Sequence, residues 1–323
     1  MRLFRNLTFA LLNGFIMFFY SERLFWTIYR SEDSIQDHII TWLFYSAVTF
    51  IFLWAVKHFR VRNLWALFIA GALYGWLVEG VLAWTLYGTE PSAPFPLSIS
   101  VTSLSWHALI TVMVGWYYVR KTLLQNNLAK TAMVAALIGL YWGAWSMFLW
   151  RENPPVITPT YKFFLYALVM TSLLILSYWL IDRCHPAHIT PGKFGLGFCA
   201  FVLLGFFIIQ NIVNLGFRPL LILTPLLLLI YFTLRRNRKK EECSDLFVVM
   251  EGKVKLVNYL MILAMPIFAT AFYRFGLTAD LGRFPVNVAI FYYITAPAGI
   301  VMLILSLFQI FRRGLSKNIS QEE

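Results

Sequence analysis

The chain has 323 residues, of which 60% are hydrophobic and only 13% charged, with a formal net charge of +12. Such a balance lies outside the range of soluble domains and excludes a sizeable water-soluble unit; with ~20 apolar residues needed to cross ~30 Å of hydrocarbon, about ten spans fit this length. The basic residues are scattered over short connections rather than gathered in a patch, which excludes nucleic acid as a partner.

The chain opens MRLFRNLTFALLNGFIMFFYSERLFW, with Arg2 and Arg5 ahead of an apolar run and no small-residue cleavage site. This predicts an uncleaved first helix from Asn6 to Tyr29. Apolar runs bounded by charges, Pro or Gly predict further helices from Ile39 to Val56, Asn63 to Tyr87, Ile99 to Val119 and Leu128 to Trp150. Five more run from Tyr161 to Ile181, Phe194 to Leu215, Pro219 to Leu234, Leu256 to Tyr273 and Val286 to Phe311. The expected fold is an all-α polytopic membrane bundle of about ten transmembrane helices, a single transmembrane domain over residues 1–323. A basic loop, residues 235–255, joins helices eight and nine.

The connections alternate in charge. Twenty of the 27 basic residues fall in one set, from Arg2 and Arg5 through the run RRNRKK to Arg312, Arg313 and Lys317, and seven in the other. The positive-inside bias puts both termini in the cytoplasm, an orientation that suits a bacterial-type inner membrane. The partner so implied is the lipid bilayer, with anionic lipid at the basic cytoplasmic loops, where the stretch LFVVM would lie on the surface as an amphipathic turn. Cys184, Cys199 and Cys243 are too few and scattered for a disulfide framework and are expected to be reduced.

The third span, GALYGWLVEGVLAW, carries a single glutamate. Residues four apart on a helix lie nearly above one another, so Gly71, Gly75, Glu79 and Ala83 form one stripe, whose GxxxG start favours close approach to another helix. The next span repeats the pattern with Ser103, His107, Thr111 and Gly115. Counted from the Gly88 turn and from the start of the fourth span, Glu79 and His107 each lie roughly 12 Å below the outer boundary and become neighbours.

Other polar residues reach that layer: Glu22 and Arg23 in the first span, and Asn211, Asn214 and Arg218 at i, i+3 and i+7 in the seventh. Candidate catalytic residues are Glu79, His107 and Glu22; candidate substrate-binding residues are Arg23, Asn211, Asn214, Arg218 and Arg274. Asp280 and Arg283 would line an entrance rimmed by the Pro-rich stretches GTEPSAPFP and RENPPVITP. The bland alternative is a structural hydrogen bond between two helices, typically ~1 kcal/mol in a membrane.

DRCHPAH, Asp182 to His188, gathers ligand-type residues, but Pro186 interrupts its HxxH spacing and no second pair follows, so no metal site is assigned. No His-rich boxes suit a di-iron oxygenase, and no deep lysine suits retinal. The Glu79 and His107 order departs from the intramembrane CAAX-type protease pattern at Val78, Ala83, Gln210 and Asn214. No cofactor is implied. Two functions remain: a membrane-embedded enzyme acting on a lipid or lipid-linked substrate by general acid/base chemistry, or a transporter. Length, helix number and topology resemble the drug/metabolite exporter class at the level of architecture. Pro225, Pro266 and Pro297 could kink late helices into gates. The bulky, aromatic spans with small residues concentrated centrally, Gly139 and Gly143 included, favour a fixed core around a site.

Overall fold

A computed structural model describes residues 2–28, 34–90, 93–151, 154–238, 246–281 and 291–312. It is a helical bundle with no strand among these residues. The helices are α1 (Arg2–Ser21), α2 (Ile35–His58), α3 (Leu64–Leu82), α4 (Ser98–Leu124), α5 (Leu128–Arg151), α6 (Thr160–Asp182), α7 (Lys193–Leu215), α8 (Arg218–Arg238), α9 (Leu256–Thr278) and α10 (Tyr293–Arg312). Nine of them, α2 to α10, are long and apolar enough to cross a membrane, which makes this a multi-pass membrane protein. Arg283, Cys243, Arg313, Lys317 and the start of the last predicted span at Val286 lie outside the described residues.

Two helices end earlier than their hydropathy suggests. α1 stops at Ser21 and passes into a short 3-10 turn, Arg23–Phe25. A helix end in hydrocarbon must have its freed carbonyls satisfied by other parts of the protein. Here Trp106 Nε1 donates to Tyr20 O (2.9 Å), Tyr166 Oη to Arg23 O (3.3 Å) and Trp142 Nε1 to Trp26 O (3.0 Å). α3 stops at Leu82 because Trp84 turns into the left-handed region, φ 65°, so Ala83 is exposed beyond the helix and drops out of the predicted stripe. The chain after it folds back into the bundle, burying Leu86 and Tyr87; the Tyr87 hydroxyl donates to Gly80 O and Ser98 Oγ to Leu86 O (2.8 Å).

The small residues set the helix approaches. A Cβ on Gly71 would stand 3.1 Å from Ala108 Cα, and one on Gly75 would meet the Ser103 carbonyl, so α3 lies against α4 at backbone distance. Gly139 and Gly143 do the same for α5 against the Met265 and Ala269 carbonyls of α9. Close contact of this kind is the main source of helix association in lipid, where burial of apolar surface drives little.

At the end of the bundle where α1 begins, Arg120 is 1% exposed and pairs with Asp182 (2.5 Å), while Tyr259 Oη also donates to Asp182 (2.5 Å) and Arg120 to Met250 O (3.0 Å). Arg120 is therefore an interior residue rather than one of the loop charges. The same contact seats LFVVM: Leu246, Phe247 and Met250 are buried in the bundle end, and Leu246 N–H donates to Val61 O (3.0 Å). Asp182 and His185 of the DRCHPAH stretch are engaged too, His185 lying 3.5 Å from Glu251. Burial pushes the Cys184 thiol above its ordinary value, with Arg5 opposing.

Gly75→Ala is expected to lower the unfolding temperature in detergent by several degrees, because overpacking typically costs ~1–3 kcal/mol. Gly197→Ala, where a Cβ meets nothing within 4 Å, serves as the control and should be neutral or slightly stabilising. Equal shifts for the two variants would refute the close α3–α4 approach.

Candidate functional site: a buried polar chain across three helices

Glu79 and His107 are in direct contact, His107 Nε2 to Glu79 Oε1 at 2.6 Å, and are 6% and 2% exposed. Both sit where helical turns widen. Glu79 lies in the π-helical turn Val78–Leu82 and His107 in the wide-turned stretch Ser103–Val119. Ala83 N–H donates to Val78 O (3.1 Å) and His107 N–H to Thr102 O (2.9 Å), each five residues back. Such widening re-aims side chains and recurs at functional sites. Glu79 is also closer to its helix end than the Gly88 turn suggests, since α3 finishes at Leu82.

The pair continues in both directions. On the carboxylate side, the Thr85 hydroxyl, brought back by the folded connection after α3, donates to Glu79 Oε2. On the imidazole side, His107 Nδ1 faces Ser21 Oγ at 3.1 Å. Ser21 in turn meets Tyr74 Oη (3.1 Å) and Thr111 Oγ1 (3.2 Å), and the Tyr74 ring stands edge-on to the imidazole. The result is a carboxylate–imidazole–hydroxyl chain running from Thr85 and Glu79 through His107 to Ser21, Tyr74 and Thr111, carried by α1, α3 and α4. Separately, Tyr45 Oη of α2 donates to Oε1 of half-buried Glu22 (2.5 Å).

The remaining predicted residues are distributed differently. Arg23 turns away from this chain: its Nη1 donates to His38 Nδ1 (3.2 Å) and its guanidinium lies over the Phe18 ring, 4.7 Å from the centroid. Asn211, in another π-helical turn, is fully buried, and its Nδ2 donates to Val81 O (2.9 Å) beside the widened turn of α3. Its Oδ1 finds no partner among the described residues. Asn214 bonds its own helix at Gln210 O (2.5 Å) and is exposed, as are Arg218 and Asp280. Arg274 is exposed and lines a separate groove between α6 and α9.

Sequence reasoning passed over Ser21, Tyr45, Tyr74 and Thr85. Tyr74 is five residues from Glu79, outside a four-residue stripe, and Thr85 reaches the site only through the folded-back turn. Ser21 could have been noticed beside Glu22 in the string YSER. Among the described residues no three His, Cys, Asp or Glu side chains gather as a metal cluster.

The chain matches no protein-family model, no curated protein and no solved structure.

Removing the amide of Asn211 leaves the Val81 carbonyl unpaired, so Asn211→Ala is expected to cost ~1 kcal/mol, a fall of about 2 °C in the unfolding temperature. Asn214→Ala, on the exposed side of the same helix, should leave it unchanged. Tryptophan fluorescence during heating distinguishes the two, and an equal loss at both positions would contradict the assignment of Asn211 as the contact between α7 and α3.

Proposed function

We propose that this protein is a membrane-embedded enzyme that acts on a lipid or lipid-linked substrate from the outer leaflet by general acid/base chemistry, with Glu79 and His107 as its proton-handling pair. The observation that carries this reading is the 2.6 Å contact between imidazole and carboxylate with a hydroxyl on the other ring nitrogen. A base held between an orienting carboxylate and a hydroxyl is the geometry that fixes a tautomer and moves a proton. Ser21 is buried and meets three partners, which suits a relay rather than a nucleophile. Glu79, at the end of its helix and under the Thr85 turn, is the member best placed to exchange a proton with a substrate.

A proton-coupled transporter would also use such a chain. Packing favours the enzyme. Trp76, Trp106, Trp116 and Trp142 are fully buried, and their indole N–H groups are tied to Ile99 O, Tyr20 O, Asn13 Oδ1 and Trp26 O. These ties link α1, α3, α4 and α5, which suits a preorganised site.

The test is conversion without a gradient. Purified protein in detergent is incubated with phospholipid and isoprenoid-phosphate mixtures, and products are followed by mass spectrometry. Conversion by the unmodified protein, falling ~10²–10⁴-fold in Glu79→Gln and in His107→Ala, is the expected result. Absence of conversion alongside proton-driven flux in sealed vesicles would replace this reading with transport.

A further inference from the structure

α1 forms the floor, and α2 and α6 the walls, of a groove of about 710 Å³ that opens sideways from the bundle. Its lining is apolar along most of its length, with Leu12, Phe15 and Trp42 on one side and Leu173, Leu176 and Leu180 on the other. The volume falls in the ~300–1,000 Å³ range of small-molecule sites. From Leu12 to Arg23 the floor rises roughly 16 Å at ~1.5 Å per residue, about half of the ~30 Å hydrocarbon thickness, the depth of one leaflet.

Charge appears at one end only. Arg23 lines the groove there, 7% exposed, and its Nε–H has no hydrogen-bond partner among the described residues. The neighbouring Glu22 makes no ion pair with it, that carboxylate being turned to Tyr45. Arginine has no acceptor, so His38 Nδ1 must accept from Arg23 Nη1, and the imidazole adds no negative charge. A guanidinium is held at the head of an apolar slot with no carboxylate partner among the described residues. A buried cation with an open donor is costly until an anion meets it, and the planar guanidinium suits phosphate oxygens.

We propose that this groove binds one anionic phospholipid of the surrounding leaflet, an acyl chain lying along α1 between α2 and α6 and the phosphate seated on Arg23. The groove and the polar chain meet at three consecutive residues. Ser21 faces His107, Glu22 faces Tyr45 and Arg23 faces the groove. A phosphate on Arg23 is thereby placed two residues along the chain from Ser21, the α1 member of the acid/base chain. As an account of the substrate this rests on the enzymatic reading above; as a binding site it stands without it.

Native mass spectrometry of the purified full chain tests the site, with phosphatidylglycerol as probe and diacylglycerol of the same tails as the phosphate-free comparison. The expected result is one phosphatidylglycerol retained, with diacylglycerol bound far more weakly and excess inorganic phosphate unable to displace the lipid. Arg23→Gln should weaken retention about tenfold or more. Leu173→Trp, at a lipid-exposed position that fills the slot without touching the charge, should do the same, and Arg23→Lys should keep part of it. Glu79→Gln should bind as the unmodified protein does, even if it is inactive, which separates failure of the site from failure of the enzymatic reading. Retention unchanged in Arg23→Gln or in Leu173→Trp, equal retention of diacylglycerol, or displacement by inorganic phosphate would overturn the proposal.

Discussion

A carboxylate inside a hydrocarbon-solvated bundle must be met, and the contact of Glu79 with His107 is the constraint around which the first four helices are arranged. A charged group facing lipid at mid-membrane costs at least a few kcal/mol, so both side chains have to point inward, at the same level, from helices close enough to touch. The glycines of α3 permit that closeness, and the widened turns of α3 and α4 aim the two side chains at each other. Hydrogen bonds at and beside the pair then recruit other helices: Ser21 draws in α1, and Asn211 ties α7 to the turn that carries Glu79.

The end of α1 follows from the same requirement. Unwinding a helix within an apolar bundle exposes carbonyls that neither lipid nor the helix itself can satisfy. Three aromatic donors from α4, α5 and α6 take them, and once they do, Ser21, Glu22 and Arg23 are free to turn in three directions. The end of α1 thus sets the buried polar chain at Ser21 beside a lateral groove that has Arg23 at its head. Arg120 and Asp182 form a second buried pair at the other end of the bundle, where loss of either partner would strand the other charge.

Most of the helices were legible in the amino-acid pattern because a span needs only length and hydropathy. Glu79 and His107 were legible as neighbours because both stood on small, polar stripes with four-residue spacing. The boundaries that matter for chemistry were not. Nothing in the local composition of FFYSERLFW says that the helix stops at Ser21, since the groups that stabilise the stop are tryptophans and a tyrosine more than 80 positions away. Thr85 was invisible because a turn that dips back into the bundle looks like the start of a loop. Basic residues at the ends of spans look like loop charges, yet Arg120 is interior, and the i, i+3, i+7 spacing of Asn211, Asn214 and Arg218 defines a face without saying which neighbour it meets.

The direct contact between Glu79 and His107 is the feature on which the rest depends, and dipolar recoupling by solid-state NMR in lipid bilayers measures it. With the histidine ring labelled with 15N and the glutamate carboxyl with 13C, a strong coupling assigned to these two residues, equivalent to hydrogen-bond separation, is expected, and it should vanish in Glu79→Ala. A coupling that places the two groups beyond ~6 Å would mean that they neither share a proton nor shift one another's charge, and the buried chain across α1, α3 and α4 would have no centre.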